Sequence, residues 1–291
     1  MPNSTRRRTK IIATLGPATH SPEMIEQLIK AGMNVARLNM SHAKHATVEE
    51  NVRHIREISK RLDMPVAILM DTQGPAIRTG DLTSALTLTP GQRIALTVRG
   101  EKSEEEFSVD VNYDHLVDDI RVDDIVLVDN GTIQLRVLEK KHNQLACVVL
   151  TPGVLGSRRH INLPGVRVNL PALTDKDIED VELGVRLGVD YFAMSFVREP
   201  EDVLRLRAIL DYRKSKQRII AKLEDQEGVR NLDAIIKVAD GVMVALGDLG
   251  IECPYEELPI IQRRIVKHCI RYGKPVIVAT HMLESMIENP S

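Results

Sequence analysis

The chain has 291 residues, of which 43% are hydrophobic and 27% are charged, and its formal net charge is −2. This length is sufficient for one domain with a sizeable core and one further small domain. The near-neutral charge, the 3% of aromatic residues and the absence of Trp argue against nucleic acid or an acidic membrane as a partner. The three widely spaced cysteines predict neither a disulfide framework nor a metal knuckle. The basic start has no long apolar run after it, and no apolar run could span a bilayer, so we predict a soluble cytoplasmic protein.

The first 76 residues alternate between short apolar runs and segments with helical spacing. The pattern predicts strands at 10–15, 35–38 and 66–70 and helices at 23–31 and 47–62. Thr19, His20 or Ser21 could cap the first helix, and Pro22 suits its first turn.

Polar side chains follow the second and third predicted strands. Arg37, Asn39 and Ser41 alternate, which places them on one face of an extended chain. A guanidinium beside oxygen-bearing neighbours suits recognition of a phosphate or a carboxylate, although a polar strand end with a helix cap explains the pattern equally well. The third strand also ends in a carboxylate and a hydroxyl, Asp71 and Thr72. This repetition favours a functional site.

From about residue 77 to residue 169 the helical spacing is lost. Five β-rich runs are separated by turn residues, including Pro90-Gly91 and Asn130-Gly131. The runs lie at 85–88, 93–98, 124–128, 132–138 and 146–150. We therefore predict a small all-β module inserted into an α/β chain, which resumes with an acidic helix start at Thr174.

The stretch from 218 to 252 predicts a strand, a helix and a second strand, which is one βαβ unit of a parallel sheet. Parallel strands deliver their carboxyl ends to one face, so Lys222, Glu224 and Asp248 should converge there. Two carboxylates beside an ammonium suit Mg2+, and the ammonium could stabilise negative charge that develops during a reaction. The glycines beside Asp248 would let backbone N–H groups approach an anion. The alternative is a surface ion-pair network at the strand ends.

Seven strands of the βα type are predicted in all, interrupted after the third by the β module. A (β/α)8 barrel needs one strand more. The predicted fold class is therefore α/β, a (β/α)8 TIM barrel that is incomplete at its C-terminal end and carries an inserted all-β domain. The predicted domain bounds are 1–76 for the first part of the barrel, 77–169 for the insertion and 170–291 for the second part.

Eight motifs resemble those of the pyruvate kinase family, in the order and at the spacing of that family and over nearly the whole chain. They are RRTKIIATLGPAT, MNVARLNMSHA, LMDTQGPAIRTG, VNLPALTDKDIEDVELGV, SFVR, AKLEDQEGV, GVMVALGDLGIECP and PVIVATHMLESM. The resemblance implies a barrel with a β-rich lid after the third strand. It also implies transfer of the phosphoryl group of phosphoenolpyruvate to ADP, which gives pyruvate and ATP in glycolysis.

The resemblance also implies roles for individual residues. For metals, it implies Glu224 and Asp248 as ligands of Mg2+ and Asn39, Ser41, Asp71 and Thr72 as a K+ site. For phosphoenolpyruvate, it implies that Arg37 binds the phosphoryl group and that backbone donors of Gly247 and Asp248 bind the carboxylate. It also implies that Lys222 neutralises charge on the phosphoryl group and the enolate oxygen. Thr280 would orient the protonation step or the substrate. For the nucleotide, it implies Arg78 and Arg159 from the lid, with Arg159 where the family commonly has Lys.

The chain departs from the family pattern at three positions near these residues and at its end. Leu246 stands where the family usually has Arg, and Gln73 replaces a common Lys. Ala76 replaces the Glu that accompanies potassium dependence, which leaves the need for K+ open. The family continues into an eighth strand and a C-terminal effector domain and forms tetramers. We therefore expect a truncated form or fragment, of low or no activity, whose open barrel edge makes it unstable or prone to aggregation.

Two alternatives belong to other classes. A magnesium-dependent pyruvate aldolase also uses a barrel with Glu, Asp and Arg around the metal, but it has no inserted β module and no need of a Lys two residues before the metal Glu. A non-catalytic remnant would bind phosphoenolpyruvate or a partner without turnover.

Overall fold

A computed structural model describes residues 8–41, 43–98 and 107–280 of the chain. Its first part alternates strands and helices, as the apolar pattern predicts. The elements are β1 (Ile12–Leu15), α1 (Pro22–Ala31), β2 (Val35–Asn39), α2 (His45–Leu62) and β3 (Ala67–Asp71). Ser21 caps α1 by accepting a hydrogen bond from the backbone N–H of Met24 at 3.3 Å. Gly32 ends that helix with a left-handed φ of 106°, a conformation that glycine adopts without steric cost.

The β-rich part folds around a core of its own. Its elements are β4 (Leu86–Leu88), β5 (Arg93–Val98), β6 (Ser108–Val111), α3 (Leu116–Asp119), β7 (Ile125–Val128), β8 (Ile133–Lys141), β9 (Gln144–Val149), β10 (Gly153–Leu155) and β11 (Ile161–Asn162). Six of the strands form a sheet in the order β11-β7-β8-β9-β5-β6, and β10 pairs with β4. Each of the five predicted runs overlaps a strand, although β8 continues past the predicted end at 138 and β9 begins before the predicted start at 146. The short strands β6, β10 and β11 are not among the predicted runs.

The last part returns to alternating helices and strands. Its elements are α4 (Asp175–Leu187), β12 (Tyr191–Met194), α5 (Pro200–Tyr212), β13 (Arg218–Leu223), α6 (Gln226–Arg230), α7 (Leu232–Val238), β14 (Gly241–Ala245), α8 (Leu246–Glu252), a 3-10 turn (Tyr255–Glu257), α9 (Leu258–Arg271) and β15 (Val276–Ala279). The predicted cap of α4 is confirmed, since Thr174 and Asp177 form a capping box.

Two predictions in this part differ from the structure. The helical spacing after Glu224 predicts one helix, but the chain forms α6 and α7 on either side of Asn231, whose side-chain amide donates to the Arg198 carbonyl at 2.8 Å. The apolar pattern predicts no helix around Asp248, but this residue lies in the first turn of α8. The motif residues from His281 onward lie outside the described residues.

The described parallel strands form one curled sheet of seven, in the order β1-β2-β3-β12-β13-β14-β15. Leu69, Ala193, Ile220 and Met243 fill its concave side and are at most 3% exposed. The opposite side packs against the helices in a second, larger apolar cluster. The fold is therefore an incomplete (β/α)8 barrel with an inserted β lid, as predicted, while the bounds at 76 and 169 stay a prediction. None of the described helices is both long and apolar enough to cross a membrane.

Polar side chains join neighbouring strands at the amino-terminal end of the barrel. Asp240 precedes β14, and its Oδ2 accepts from the backbone N–H of Ile219 in β13 at 2.8 Å. Asp190 precedes β12 and accepts in the same way from Ile68 in β3 at 2.7 Å. Each carboxylate also pairs with an arginine. Asp240 binds Arg207 of α5, the helix before β13, and Asp190 binds Arg56 of α2, the helix before β3. These contacts fix the register of neighbouring strands at the end opposite the carboxyl ends.

Candidate functional site

A cleft with a volume of about 380 Å³ lies at the carboxyl ends of the barrel strands, between the barrel and the lid. Polar groups from several strands line it, which is the face where barrel enzymes place their sites. The barrel contributes Arg37, Asn39, Ser41, Thr72, Ser195, Lys222, Glu224 and Asp248, and the lid contributes Arg78, Asp129, Arg158, Arg159 and His160.

Lys222 is buried at the centre of this set of side chains and is 8% exposed. Its Nζ donates to Ser195 Oγ at 2.9 Å and lies 2.9 Å from Glu224 Oε1 and 3.1 Å from Asp71 Oδ1. An ammonium has three protons, so each has an acceptor. Burial alone would lower the pKa of Lys222, but the charges of Glu224 and Asp71 outweigh it, and the pKa is raised above its ordinary value. The side chain therefore carries a full positive charge at neutral pH.

Glu224 is 2% exposed, and its second oxygen accepts a hydrogen bond from the backbone N–H of Phe196 at 2.6 Å. Burial raises the pKa of this carboxyl to about 7, against the attraction of Lys222, and the negative charge of Asp248 raises it further. Asp248 lines the same cleft from the first turn of α8. Two carboxylates and one ammonium therefore share one small region, as the sequence predicts.

Asp71 lies 1% exposed between the two cations of the site. Its Oδ2 accepts from Arg37 Nε at 2.6 Å, and its Oδ1 is 3.1 Å from Lys222 Nζ. Arg37 Nη1 also donates to Thr14 Oγ1 at 3.0 Å. These contacts fix the guanidinium at the edge of the cleft, where its side chain is 29% exposed and open to a ligand.

The predicted alternation in the second strand is confirmed. Ala36 and Leu38 are buried on the side that faces the helices, while Arg37 and Asn39 are only partly buried and line the cleft. Asn39 Oδ1 accepts from the backbone N–H of Ser41 at 3.1 Å, which holds the turn after the strand.

The lid faces the cleft with basic side chains. Arg159 Nη1 donates to Asp129 Oδ1 at 3.3 Å, and Arg78 Nη1 donates to the backbone carbonyl of Arg158 at 3.2 Å. The ring of His160 stacks on that of Phe196 with a centroid separation of 6.1 Å, so the lid and the barrel touch at the cleft itself. Burial lowers the pKa of His160, which favours the neutral imidazole in this contact.

Most of the predicted site residues come together in this cleft. Those that line it are Lys222, Glu224, Asp248, Arg37, Asn39, Ser41, Thr72, Arg78 and Arg159, and Asp71 contacts two of them. Gly247 instead lines an apolar groove with Leu246. Thr280 lies just beyond β15 with a φ of 80° and is not among the residues that line the cleft. Gln73 and Ala76, two of the departures from the family pattern, do line it.

Sequence reasoning gave no role to Ser195, Phe196 or His160. Ser195 follows β12, so the rule that polar groups at strand ends mark a site would have found it. Phe196 acts through its backbone N–H, and a side-chain pattern carries no signal for that. His160 is near the cleft because the lid folds back over the barrel, which no local pattern encodes.

The donors of the cleft fit hard cations. Among the described residues no group of three or more His, Cys, Asp or Glu side chains is placed to hold a metal. Glu224 and Asp248 offer two carboxylates beside open space, which suits Mg2+ because that ion keeps several water or substrate oxygens in its shell. Amide, hydroxyl and carboxylate oxygens lie together at the ends of β2 and β3, and such oxygens suit a monovalent cation.

Comparisons with known proteins agree with this geometry. The family model described as pyruvate kinase, barrel domain, matches residues 6–291. The pyruvate kinases of Staphylococcus aureus strains MRSA252, USA300 and NCTC 8325 / PS 47 are each 46% identical to the chain over 288 residues. The match covers 98% of this chain and 49% of each relative, so the chain spans about half the length of the curated relatives it matches.

Proposed function

Because the chain belongs to the pyruvate kinase family, we propose that its cleft serves transfer of the phosphoryl group of phosphoenolpyruvate to ADP, which gives pyruvate and ATP in glycolysis. The observation that supports this most directly is the position of the Lys222 ammonium, 2.9 Å from Glu224 and in the same cleft as Asp248 and Arg37. Phosphoryl transfer depends on positioning and charge neutralisation rather than on covalent help from the protein. This cleft offers groups for both purposes.

Arg37 and Lys222 have complementary roles in this proposal. Arg37, held by Asp71 and Thr14, binds the phosphoryl group from the edge of the cleft. Lys222 lies deeper and neutralises charge on the phosphoryl group and on the enolate oxygen that remains after transfer. The backbone N–H groups of Gly247 and Asp248 are the proposed donors to the substrate carboxylate. Thr280 is the proposed group that orients the substrate or the protonation step.

The metal sites are proposals that follow from the donor sets. Glu224 and Asp248 would hold Mg2+, which would supply positive charge that neutralises substrate oxygens. Asn39, Ser41, Asp71 and Thr72 would hold K+. A requirement for K+ is a separate question, because Ala76 replaces the Glu that accompanies potassium dependence in the family.

The lid and the assembly complete the proposal. Arg78 and Arg159 are the proposed nucleotide ligands, because they line the cleft from the lid. We further propose a cytoplasmic protein that forms homo-oligomers, with the tetramer as the form of the full-length family. No role with nucleic acid or membranes is proposed.

The test is the variant Lys222→Met, measured as ADP-dependent formation of pyruvate with Mg2+ and K+ present. We expect turnover to fall by several orders of magnitude with little change in KM for phosphoenolpyruvate, since one group that stabilises transition-state charge commonly accounts for about 100-fold to 1000-fold. Lys30→Met is a matched control, because Lys30 is exposed on α1, where it pairs with Glu26, and it does not line the cleft. A near-normal rate for Lys222→Met would remove Lys222 from this role.

A second candidate is binding of phosphoenolpyruvate without turnover. It is favoured by the described sheet, which has seven strands and leaves β1 and β15 each without a partner on one side. Calorimetry that finds magnesium-dependent binding of phosphoenolpyruvate, in a protein that forms no pyruvate from it with ADP, would favour this candidate. The aldolase alternative does not fit the cleft, because the β lid supplies part of its lining and those aldolases have no inserted β module.

A further inference from the structure

We propose that Ser195 is the positioning residue for Lys222, and that its hydroxyl sets the direction of the ammonium without reducing the positive charge of the cleft. This inference rests on the proposed phosphoryl transfer for its consequence in catalysis, but its geometry stands on the described contacts alone.

The hydroxyl of Ser195 has two acceptors for its proton, the Thr72 carbonyl at 2.6 Å and Asp71 Oδ1 at 3.5 Å, and the nearer one takes it. Lys222 Nζ can only donate, so Ser195 Oγ accepts from it at 2.9 Å. The hydroxyl proton is then directed at the backbone carbonyl of Thr72, 2.6 Å away. The backbone N–H of Ser195 donates in turn to Thr72 Oγ1 at 3.2 Å. The serine is therefore fixed by the loop after β3 on one side and holds the ammonium on the other.

Packing prevents this side chain from moving to another position. Ser195 is 2% exposed. Gly74 lies against it so closely that a Cβ on Gly74 would be 2.8 Å from the Ser195 Cβ and 2.9 Å from the Phe196 ring. Gly74 is itself held by the buried Asp177, which accepts from its backbone N–H at 3.0 Å. The acceptor that faces Lys222 is therefore built into a rigid part of the barrel.

The residue after Ser195 holds the other charged group of the same strand end. Phe196 has a left-handed φ of 53°, and its backbone N–H donates to Glu224 at 2.6 Å. Lys222 lies in β13, and Glu224 follows directly after that strand. Of the two consecutive residues after β12, Ser195 binds Lys222 and Phe196 binds Glu224. Strained backbone of this kind persists where the surrounding structure fixes it, commonly at functional sites.

The three acceptors of Lys222 differ in what else they do. Asp71 is shared with Arg37, and Glu224 is also a proposed ligand of Mg2+. Ser195 is the neutral member of the three, so it orients the ammonium while leaving its charge available for the phosphoryl group. A third carboxylate at this position would hold Lys222 as firmly but would cancel the charge that the reaction needs.

The first experiment measures the ammonium directly and needs no substrate. Protein with 15N-labelled lysine is studied by NMR at low temperature, and the Lys222 signal is assigned by its loss in Lys222→Met. We expect the ammonium protons to exchange with water about 10-fold faster or more in Ser195→Ala. This factor corresponds to about 1.4 kcal/mol, the size of a lost hydrogen bond to a charged group. An exchange rate within twofold of the unaltered protein would overturn the proposal.

Ser215→Ala is the matched control, because the Ser215 hydroxyl binds the side chain of Gln217 beyond the end of α5, outside the cleft. Its Lys222 signal should be unchanged. If Ser195→Ala does not fold, Ser195→Cys takes the same measurement, since a thiol occupies the same place and accepts hydrogen bonds only weakly.

The second experiment measures pyruvate formation in the same proteins. We expect Ser195→Ala to lower kcat about 10-fold to 100-fold with KM for phosphoenolpyruvate within about twofold, because a misdirected ammonium weakens the transition state more than the bound substrate. An unchanged kcat would overturn the proposal. If the unaltered chain forms no pyruvate, the proposed function fails, and the NMR measurement alone decides the positioning role of Ser195.

Discussion

Four buried or partly buried charges meet around Asp71. Arg37 and Lys222 supply two positive charges, and Asp71 and Glu224 supply two negative charges, within contacts of 2.6 to 3.1 Å. This balance accounts for the stability of the cluster, because an unpaired charge in such a place is costly. It also means that a phosphorylated acid entering the cleft gains little net attraction from these four groups alone. The geometry therefore gives a physical reason for cations to accompany the substrate in the proposed reaction.

Glu252 provides a test of stability against pH at a single residue. It is 9% exposed, and its Oε1 accepts from the side-chain amide of Asn162 in the lid at 2.9 Å. Burial raises the pKa of this carboxyl to about 7; the negative charges of Asp225 and Asp248 raise it too, and Asn162 opposes them. The folded state thus binds a proton that the unfolded state has lost above its ordinary pKa of 4.5.

The sign of the effect follows from this raised pKa. The stabilisation from protonated Glu252 is complete below pH 4.5, decreases as the pH rises and is lost above about pH 7. The test is urea unfolding of the unaltered protein and of Glu252→Gln at pH 5 and pH 8. Between these two pH values the free energy of unfolding of the unaltered protein should fall by up to about 3 kcal/mol more than that of the variant. Glu182→Gln, which alters an exposed pair with Arg213, should show no such difference. Parallel curves for the Glu252 variant and the unaltered protein would contradict the assignment.

Among the elements, the loop after β3 depends on a glycine at one position. Gly74 has a φ of +72° and leaves no room for a Cβ, whereas Gly188 at the end of α4 has a φ of +62° with nothing within 4 Å of that position. Gly188→Ala should cost about 1–2 kcal/mol from the left-handed backbone. Gly74→Ala should cost about 1–3 kcal/mol more, because the methyl group collides with Ser195 and Phe196.

Urea unfolding of the two glycine variants measures this difference. Equal losses of stability would show that the loop after β3 can move away from Ser195, and would contradict the close packing that holds the cleft.

The connection between β13 and β14 depends on the carboxylate of Asp240. It accepts from the Ile219 backbone N–H at 2.8 Å and from Arg207 at 2.5 Å, so its loss leaves two donors without this acceptor. Asp240→Ala should lower the free energy of unfolding by about 1–3 kcal/mol. Asp211→Ala is the matched control, because Asp211 is exposed in the last turn of α5. A loss for Asp240→Ala no larger than for the control would show that backbone pairing alone fixes the register here.

On the scale of the whole molecule, the lid is joined to the barrel at more than one point. Arg198, which follows β12, donates to the carbonyl of Val168 in the lid at 2.9 Å and to that of Leu170, just after the lid, at 2.7 Å. Asn162 reaches Glu252, and His160 stacks on Phe196. Because the cleft is lined by residues of both parts, it has its shape only when the lid and the barrel are in place together.

The described sheet also predicts where the molecule opens most easily. Strands β12 and β13 have a neighbour on each side, while β1 and β15 each have one. Backbone N–H groups on an unpaired edge lack a partner strand, and their local opening costs less. Hydrogen exchange followed by mass spectrometry should find peptides that cover β1 and β15 exchanging faster than those of β12 and β13. Equal protection would mean that another segment covers these edges in solution.

The amino-acid sequence alone determined the alternation of strands and helices, the inserted β module and the strand-end residues Arg37, Asp71, Lys222 and Glu224. Their positions follow from local periods and from the rule that parallel strands deliver their carboxyl ends to one face. Only the tertiary structure decided that Ser195 and Phe196 hold Lys222 and Glu224, that His160 and Asn162 join the lid to the barrel, and that Gly247 lies in a helix facing an apolar groove. The physical reason is that these contacts join residues from 27 to 90 positions apart, several through backbone groups, and such contacts leave no periodic trace in the chain.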